Sequence, residues 1–356
     1  MRSEPLDAIR GLAISLVIAC HYFDFDRGVA GVDLFFVLSG YLIGGMLLDS
    51  REQPAYFSSF YRRRVFRILP LYWLMLVIAP PPNWGYYLFF AQQIPWMQSG
   101  YPVHEPTFVT WSLAIEEQFC LILPGLIYWL PQRWLIRTLW GGVLLAPVWR
   151  WLFHAYLPDP SWQWLVPGRL DALFGGVLLA CYMRGYCRSA TAWGVLACVP
   201  PLCDLVYRVT IGPFSYLSIT ALVCCVIVWS AANTERPMML RPLIWPGRRC
   251  YALYLFHNFV GDVVVSGFAY LPFLALPVVG FAYLPVVALP VVCILAEISW
   301  RLIEAPLIDF AKRKFARARG THTLASPPGQ LTLRPEETGG AATRAARTAR
   351  PVQQHP

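Results

Sequence analysis

Residues 6–21 read LDAIRGLAISLVIACH, with ten uncharged residues between Arg10 and His21. A helix through this stretch turns ~1100° over eleven residues, about three full turns, so the two side chains share one face ~16 Å apart along the axis. Ionisable groups at membrane depth face a protein interior, a partner or a cavity, because facing lipid costs several kcal/mol. His21 is therefore a candidate site residue. The plainer alternative is an interfacial His at a helix end, titrating without a partner.

Outward from this stretch the chain keeps the same character. Of 356 residues, 57% are hydrophobic and only 14% charged, with a mean hydropathy of +0.49. Soluble domains carry about a quarter charged residues. The expected fold class is all-α: a polytopic integral membrane protein, a ten-helix transmembrane bundle with both termini cytoplasmic. Apolar runs place spans near 6–23, 29–49, 65–80, 107–130, 134–153, 167–183, 190–208, 212–231, 251–271 and 282–302. The aromatic segment 84–97, broken by Pro95, is too short to cross and reads as an interfacial or re-entrant piece. With ten spans, Arg51, the Arg62 to Arg67 cluster, Arg133, Arg137, Arg184, Arg188, Arg236, Arg241, Arg248 and Arg249 all fall inside, while Arg27, Arg150 and Arg208 fall outside. That is the positive-inside bias. Frequent Pro and Gly within the spans argue for a packed, kinked bundle.

The net charge of +9 resembles a nucleic-acid signal until it is located. Beyond residue 310 lie nine Lys and Arg against two Glu, so most of the excess sits in the tail. A basic run directly after an apolar helix is a juxtamembrane feature drawn to anionic lipid. Two regions follow: a transmembrane domain over 1–310 and a basic disordered cytoplasmic tail over 311–356, with the lipid bilayer and no nucleic acid as partner. The first segment holds Arg10 and leads into further apolar runs, so it is not expected to be a cleavable signal. The ten Cys include no CxxC pair, and neither disulfides nor a metal site is expected.

Four groups of residues could carry chemistry. Ser39-Gly40 and Gly44-Gly45 in the second span suit close helix packing, with a Ser39 nucleophile as the lesser reading, since activation needs a base. In YRRRVFRILPLY, Arg64 and Arg67 sit three residues apart on one helical face and suit a fork-like grip on phosphate, although a cytoplasmic anchor explains the cluster equally well. Adjacent Glu116 and Glu117 lie ~100° apart on the fourth span, so at least one points inward. Topology puts them in the outer half beside His21, where a carboxylate would fix the imidazole's tautomer; a structural Glu to Arg contact is the alternative. His257 among aromatics reads first as a core His and second as a further site His. Arg169 and Asp171 read as packing or mouth residues, and Glu297, Arg301 and Glu304 as a structural ladder on the last helix.

Six motifs in order then match a family: Arg-x10-His at Arg10 and His21, DLFFVLSGYLIG at 33–44, RRRVFRILPLY at 62–72, TWSLAIEEQF at 110–119, GRLDALFGGVLLA at 168–180 and YALYLFH at 251–257. Over residues 5–310 the chain resembles the membrane-bound acyltransferase family 3. The resemblance implies a ten-helix bundle in the bacterial plasma (inner) membrane. It also implies O-acyl transfer, often of acetyl, from cytoplasmic acyl-CoA to a hydroxyl of a glycan, glycolipid or small molecule, with no permanently bound cofactor. By the same resemblance His21 is the catalytic base, Arg10 the partner on its helix, Glu116 an essential acid, and Arg64 and Arg67 the cytoplasmic pair near the CoA phosphates; from the residues themselves Arg10 is also expected on the acyl-CoA path, and Glu117, Ser39 and His257 are accessory candidates. Two positions depart from the pattern. Val109 and Thr110 stand where many members place a His, for which His104 is the nearest substitute, and Cys120 stands where a Tyr often follows. The competing class is a transporter using the same His, Glu and Arg as a substrate or proton pathway.

Overall fold

The run that contains Arg10 and His21 forms helix α1, Glu4–Tyr22, opened by Pro5 in its first turn, where the missing N–H costs nothing. Glu4 and Asp7 at its start complement the helix dipole. In this computed structural model the described residues are 3–100, 106–156, 165–187, 217–234, 238–269 and 277–320, and among them every regular element is helical. After α1 come α2 (Ala30–Asp49), α3 (Tyr56–Ile78), the short α4 (Trp84–Leu88) and α5 (Gln93–Ser99), α6 (Thr110–Trp129), α7 (Gln132–Tyr156), α8 (Leu170–Met183) and α9 (Leu217–Ala232). The short α10 (Ile244–Arg248) leads into α11 (Cys250–Ala269), then α12 (Pro277–Ser299) and α13 (Ala305–Gly320). The chain divides into residues 1–315 and residues 316–356, and the packed helices belong to the first unit.

Among the described residues, four helical stretches are long and apolar enough to cross a membrane: Glu4–Tyr22, Asp26–Asp49, Val166–Met183 and Pro285–Ala311. The chain is an integral membrane protein. The Arg-bearing α3 and the Glu-bearing α6 fall outside that set because they carry ionisable residues, which meet each other inside the bundle: Arg64 of α3 is hydrogen-bonded to Glu116 and Glu117 of α6.

Helix directions follow from named contacts. Helices α2 and α8 run parallel, tied at one end by Arg169 to Asp33 at 2.9 Å and at the other by Arg184 to Asp49 at 2.6 Å. Between these ends the crossing is so close that a Cβ at Gly40 would meet the Leu173 carbonyl at 2.1 Å, and one at Gly176 the Val37 carbonyl at 2.1 Å. This is the packing the small residues of the second span predict. Helix α3 runs antiparallel to α6: Tyr61 Oη donates to the Leu121 carbonyl at 2.9 Å and Arg51 to the Leu130 carbonyl at 2.8 Å. Helix α7 is antiparallel to α8, with Arg150 on Asp171 at one end and Gln132 on the Tyr186 carbonyl at the other. Helices α1 and α11 run parallel, since Arg10 and Cys250 line one cavity while His21 and His257 meet further along.

Several expected boundaries shift. Helix α3 begins nine residues before the expected span at 65, so the Arg cluster lies within a helix rather than at its mouth. Tyr56 and Tyr61 extend it by hydrogen-bonding to α6 carbonyls around Pro124, a proline that leaves its helix short of an N–H. The segment 84–97, expected as an interfacial or re-entrant piece, forms α4 and most of α5, with Tyr87 and Trp96 buried and Trp84, Phe89 and Ile94 exposed; Tyr72 Oη donates to the Tyr87 carbonyl at 2.9 Å, and Gln118 Nε2 donates to the Phe90 carbonyl at 2.6 Å. The seventh expected span, 190–208, lies outside the described residues, as does the tail beyond 320. A π-helical turn at Trp300–Glu304 shifts the register of the last helix. Arg301 therefore pairs with Glu297 at 2.7 Å as expected, but Glu304 turns inward to Ser299 at 3.2 Å and the ladder stops there.

Candidate functional site

A cavity of about 130 Å³ lies where α1, α2, α3, α6 and α11 converge, and it gathers Arg10, Ser39, Arg64, Arg67, Ser112, Glu116, Tyr251 and Tyr254 within walls of Phe35, Phe36, Leu42 and Ile43. Its cations differ in what they are already doing. Arg10 Nη1 is 2.6 Å from Asp7 Oδ1, one helical turn away. Arg64 uses its planar fork on two carboxylates at once, with Nε on Glu117 Oε2 at 2.9 Å and Nη2 on Glu116 Oε1 at 2.8 Å. Among the described residues Arg67 has no hydrogen-bond or ion-pair partner, and its side chain is open to the cavity.

The expectation that a carboxylate of α6 stands beside His21 is not met. Glu116 and Glu117 lie two turns into α6, where α3 runs antiparallel and presents Arg64. A carboxylate removed from water needs its charge compensated, and the Arg64 fork is the group within reach.

His21 instead finds a second imidazole. Its Nδ1 lies 2.9 Å from the Val17 carbonyl, and its ring stands edge to face with His257, centroids 4.9 Å apart. The His257 Nδ1 lies 2.7 Å from the Tyr254 carbonyl, and the ring is fully buried. A carbonyl only accepts, so in each neutral ring the proton sits on Nδ1 and Nε2 carries the free lone pair. Tyr22 Oη donates to the His257 carbonyl at 2.5 Å and fixes this turn of α11 to α1.

Tyr254 connects the two places. It lines the cavity, and its ring centroid is 5.7 Å from that of His257. Its hydroxyl donates to the Val109 carbonyl, so the Ser112 hydroxyl 2.7 Å away donates to Tyr254 Oη. The sequence pattern thus brings Arg10, Ser39, Arg64, Arg67 and Glu116 to one cavity, Glu117 to its Arg64 wall, and His21 with His257 to a point further along α1 and α11. His104, the proposed substitute His, lies outside the described residues.

A second charged group was only half visible beforehand. Arg150, expected at an outer span end, is buried: it bonds the Gly168 carbonyl at 2.8 Å, Asp171 at 2.9 Å and Ser218 at 2.5 Å. Beside this group Arg169 pairs with Asp33 and lies over the Trp111 ring at 5.4 Å. These pairs lock α2, α7, α8 and α9 together, consistent with the packing role read for Arg169 and Asp171. The signal for Arg150 was an Arg placed within an apolar run, where burial with a partner is the rule.

A family model described as an acyltransferase domain, of the acyltransferase 3 type, matches residues 4–297. The chain is similar to the peptidoglycan O-acetyltransferase OatA of Listeria monocytogenes, 28% identical over 85% of this chain and 55% of the relative. It is also similar to the O-acetyltransferase OatA of Staphylococcus aureus, 26% identical over 87% and 58%. A third relative is the putative peptidoglycan O-acetyltransferase YrhL of Bacillus subtilis, 29% identical over 90% and 57%. The chain thus spans little more than half the length of these curated relatives. No solved structure matches it.

Proposed function

We propose, from the premise that this chain belongs to the acyltransferase 3 family, that it moves an acetyl group from acyl-CoA to a carbohydrate hydroxyl across a bacterial plasma membrane. The donor enters at the Arg face, with Arg67 and Arg10 receiving its phosphates and Arg64 held as a wall of the cavity by Glu116 and Glu117. The narrow thioester arm passes inward along the cavity, toward Tyr254. The His21 Nε2 takes the proton of the acceptor hydroxyl as that oxygen adds to the thioester carbonyl carbon. The C–S bond then breaks, and the thiolate leaves with the proton returned by His21, giving an ester and a free thiol.

The observation that carries this reading is the separation along one helix: Arg10 stands at the cavity and His21 ~16 Å further on. One site can then take a donor from one membrane face and an acceptor from the other. The names of the relatives support peptidoglycan glycan as the acceptor class. A ten-span bundle over 1–310 with both termini cytoplasmic fits the helix directions. The hydrogen bonds from Arg51 to the Tyr128 and Leu130 carbonyls support it too, because they put both ends of the 52–130 stretch at one face. The basic cytoplasmic tail follows helix α13, which runs to Gly320, ten residues past the expected boundary at 310.

The test is thiol release from acetyl-CoA by the purified full chain, with and without an N-acetylglucosamine oligosaccharide. Acceptor-dependent release, lost by ~10²–10⁴ in His21→Ala, is the expected result. No release in a well-folded preparation overturns the donor. More than about a tenth of the wild-type rate in His21→Ala overturns the base.

A further inference from the structure

His257 keeps a basic nitrogen that nothing satisfies. With Nδ1–H committed to the Tyr254 carbonyl, the lone pair is on Nε2, which is fully buried and has no hydrogen-bond partner. A buried acceptor left unmade costs about 1–3 kcal/mol, so its retention calls for a positive group that arises beside it during function. The neighbouring rings narrow the choice. Tyr254 has its only proton on the Val109 carbonyl, and Tyr22 has its own on the His257 backbone. His21 is the remaining ring, edge to face at 4.9 Å, and as a neutral imidazole its one N–H is held by the Val17 carbonyl. Protonation spreads positive charge over its whole ring, so the edge-to-face contact becomes attractive to a lone pair while the Nε2–H itself stays with the substrates.

We propose that His257 is a positioning residue for His21: a neutral imidazole, fixed in its Nδ1–H tautomer, whose buried Nε2 lone pair stabilises the protonated His21 ring and holds it on edge. This rests on His21 acting as the base. His257 takes no proton in the cycle. The proton moves from the acceptor hydroxyl to His21 and on to the leaving thiolate, and His257 lowers the energy of the state between. Two features equip it for that task and for no nucleophilic one. It is sealed from the cavity, and its backbone is fixed by Tyr22 from α1, the helix that carries His21.

The test uses the purified full chain with acetyl-CoA and an N-acetylglucosamine oligosaccharide. His257→Phe keeps the ring contact but removes the lone pair; it is expected to lower kcat at least tenfold with both KM values and the thermal midpoint unchanged. His257→Gln, which restores an acceptor oxygen, is expected to recover part of kcat. Wild-type kcat in His257→Phe overturns the proposal, as does an equal loss in both variants accompanied by a lowered midpoint. If neither variant inserts, ¹⁵N-histidine spectra of the unsubstituted protein decide, with a bare Nε2 at His257 expected and a protonated one overturning. Failure of the underlying reading looks different: an active His21→Ala removes both, whereas an inactive His21→Ala beside a fully active His257→Phe removes only the role of His257.

Discussion

Arg10 and Arg67 face one cavity from α1 and α3, yet only Arg10 is already paired, with Asp7 at 2.6 Å. The difference predicts different phenotypes for residues of one chemical type. Arg67→Ala removes a charge that holds nothing else in place, so folded yield and thermal midpoint should stay near wild type while the KM for acetyl-CoA rises. A rise of about tenfold corresponds to ~1.4 kcal/mol, a modest value for a charge-assisted contact. Measuring donor and acceptor KM separately checks this. An unchanged donor KM, or a change confined to the acceptor, would remove Arg67 from the donor path.

Arg64 should behave in the opposite way. Deleting it strands two part-buried carboxylates, at a cost below the ~3–5 kcal/mol of a fully buried pair broken from one side. Arg64→Gln is therefore expected to lower the thermal midpoint and the yield, with Glu117→Gln restoring part of the loss in the double variant because the stranded charge is then gone. Detergent-solubilised melting curves for the two singles and the double give the coupling energy. Additive effects would mean the hydrogen bonds at 2.8 and 2.9 Å contribute nothing measurable.

The Asp33–Arg169 pair gives a third expectation, because it joins α2 to α8 beside their close crossing. Asp33→Asn should lower stability while leaving the donor KM alone, since neither partner lines the cavity. Replacing both with apolar residues of similar size, Asp33→Leu with Arg169→Met, should recover stability relative to the single change. A donor KM that moves in Asp33→Asn would link this group to the site.

The helices and most of the cavity were legible in the sequence because their signals are local. Uncharged runs give the spans, the small residues of the second span announce the close crossing at Gly40, and three-residue spacing puts Arg64 and Arg67 on one face. What could not be read is which groups from different helices meet. Glu116 and Glu117 could serve equally as partners for His21 or for an Arg, and the choice depends on how deep α6 sits against α3, which no local pattern encodes. The pairing of His21 with His257 spans more than two hundred residues and depends on two parallel helices staying in register, so His257 read as a core residue. Likewise a π-helical turn moves Glu304 inward against a spacing that favoured Arg301.

Sidedness carries the last prediction, because the proposed donor and acceptor come from opposite faces. Three links gather chain segments at one end of the bundle: Arg51 to the Leu130 carbonyl, Gln132 to the Tyr186 carbonyl, and Arg184 to Asp49. Reporters fused after Arg51, after Gln132 and after Tyr186 must therefore agree with one another whatever the orientation, and a reporter after Gly28, beyond the far end of α1, must give the opposite signal. By the positive-inside rule, the Arg excess near the first three positions is expected to orient that face to the cytoplasm. Cytoplasmic signals at 51, 132 and 186 with an extracytoplasmic signal at 28 are expected. The reverse pattern would keep the fold but put the unpaired Arg67 on the side away from acyl-CoA, and the donor assignment would fall with it. A reporter at 132 that disagrees with the one at 51 would mean the 84–97 segment crosses the membrane, against the hydrogen bonds that tie Arg51 to the end of α6.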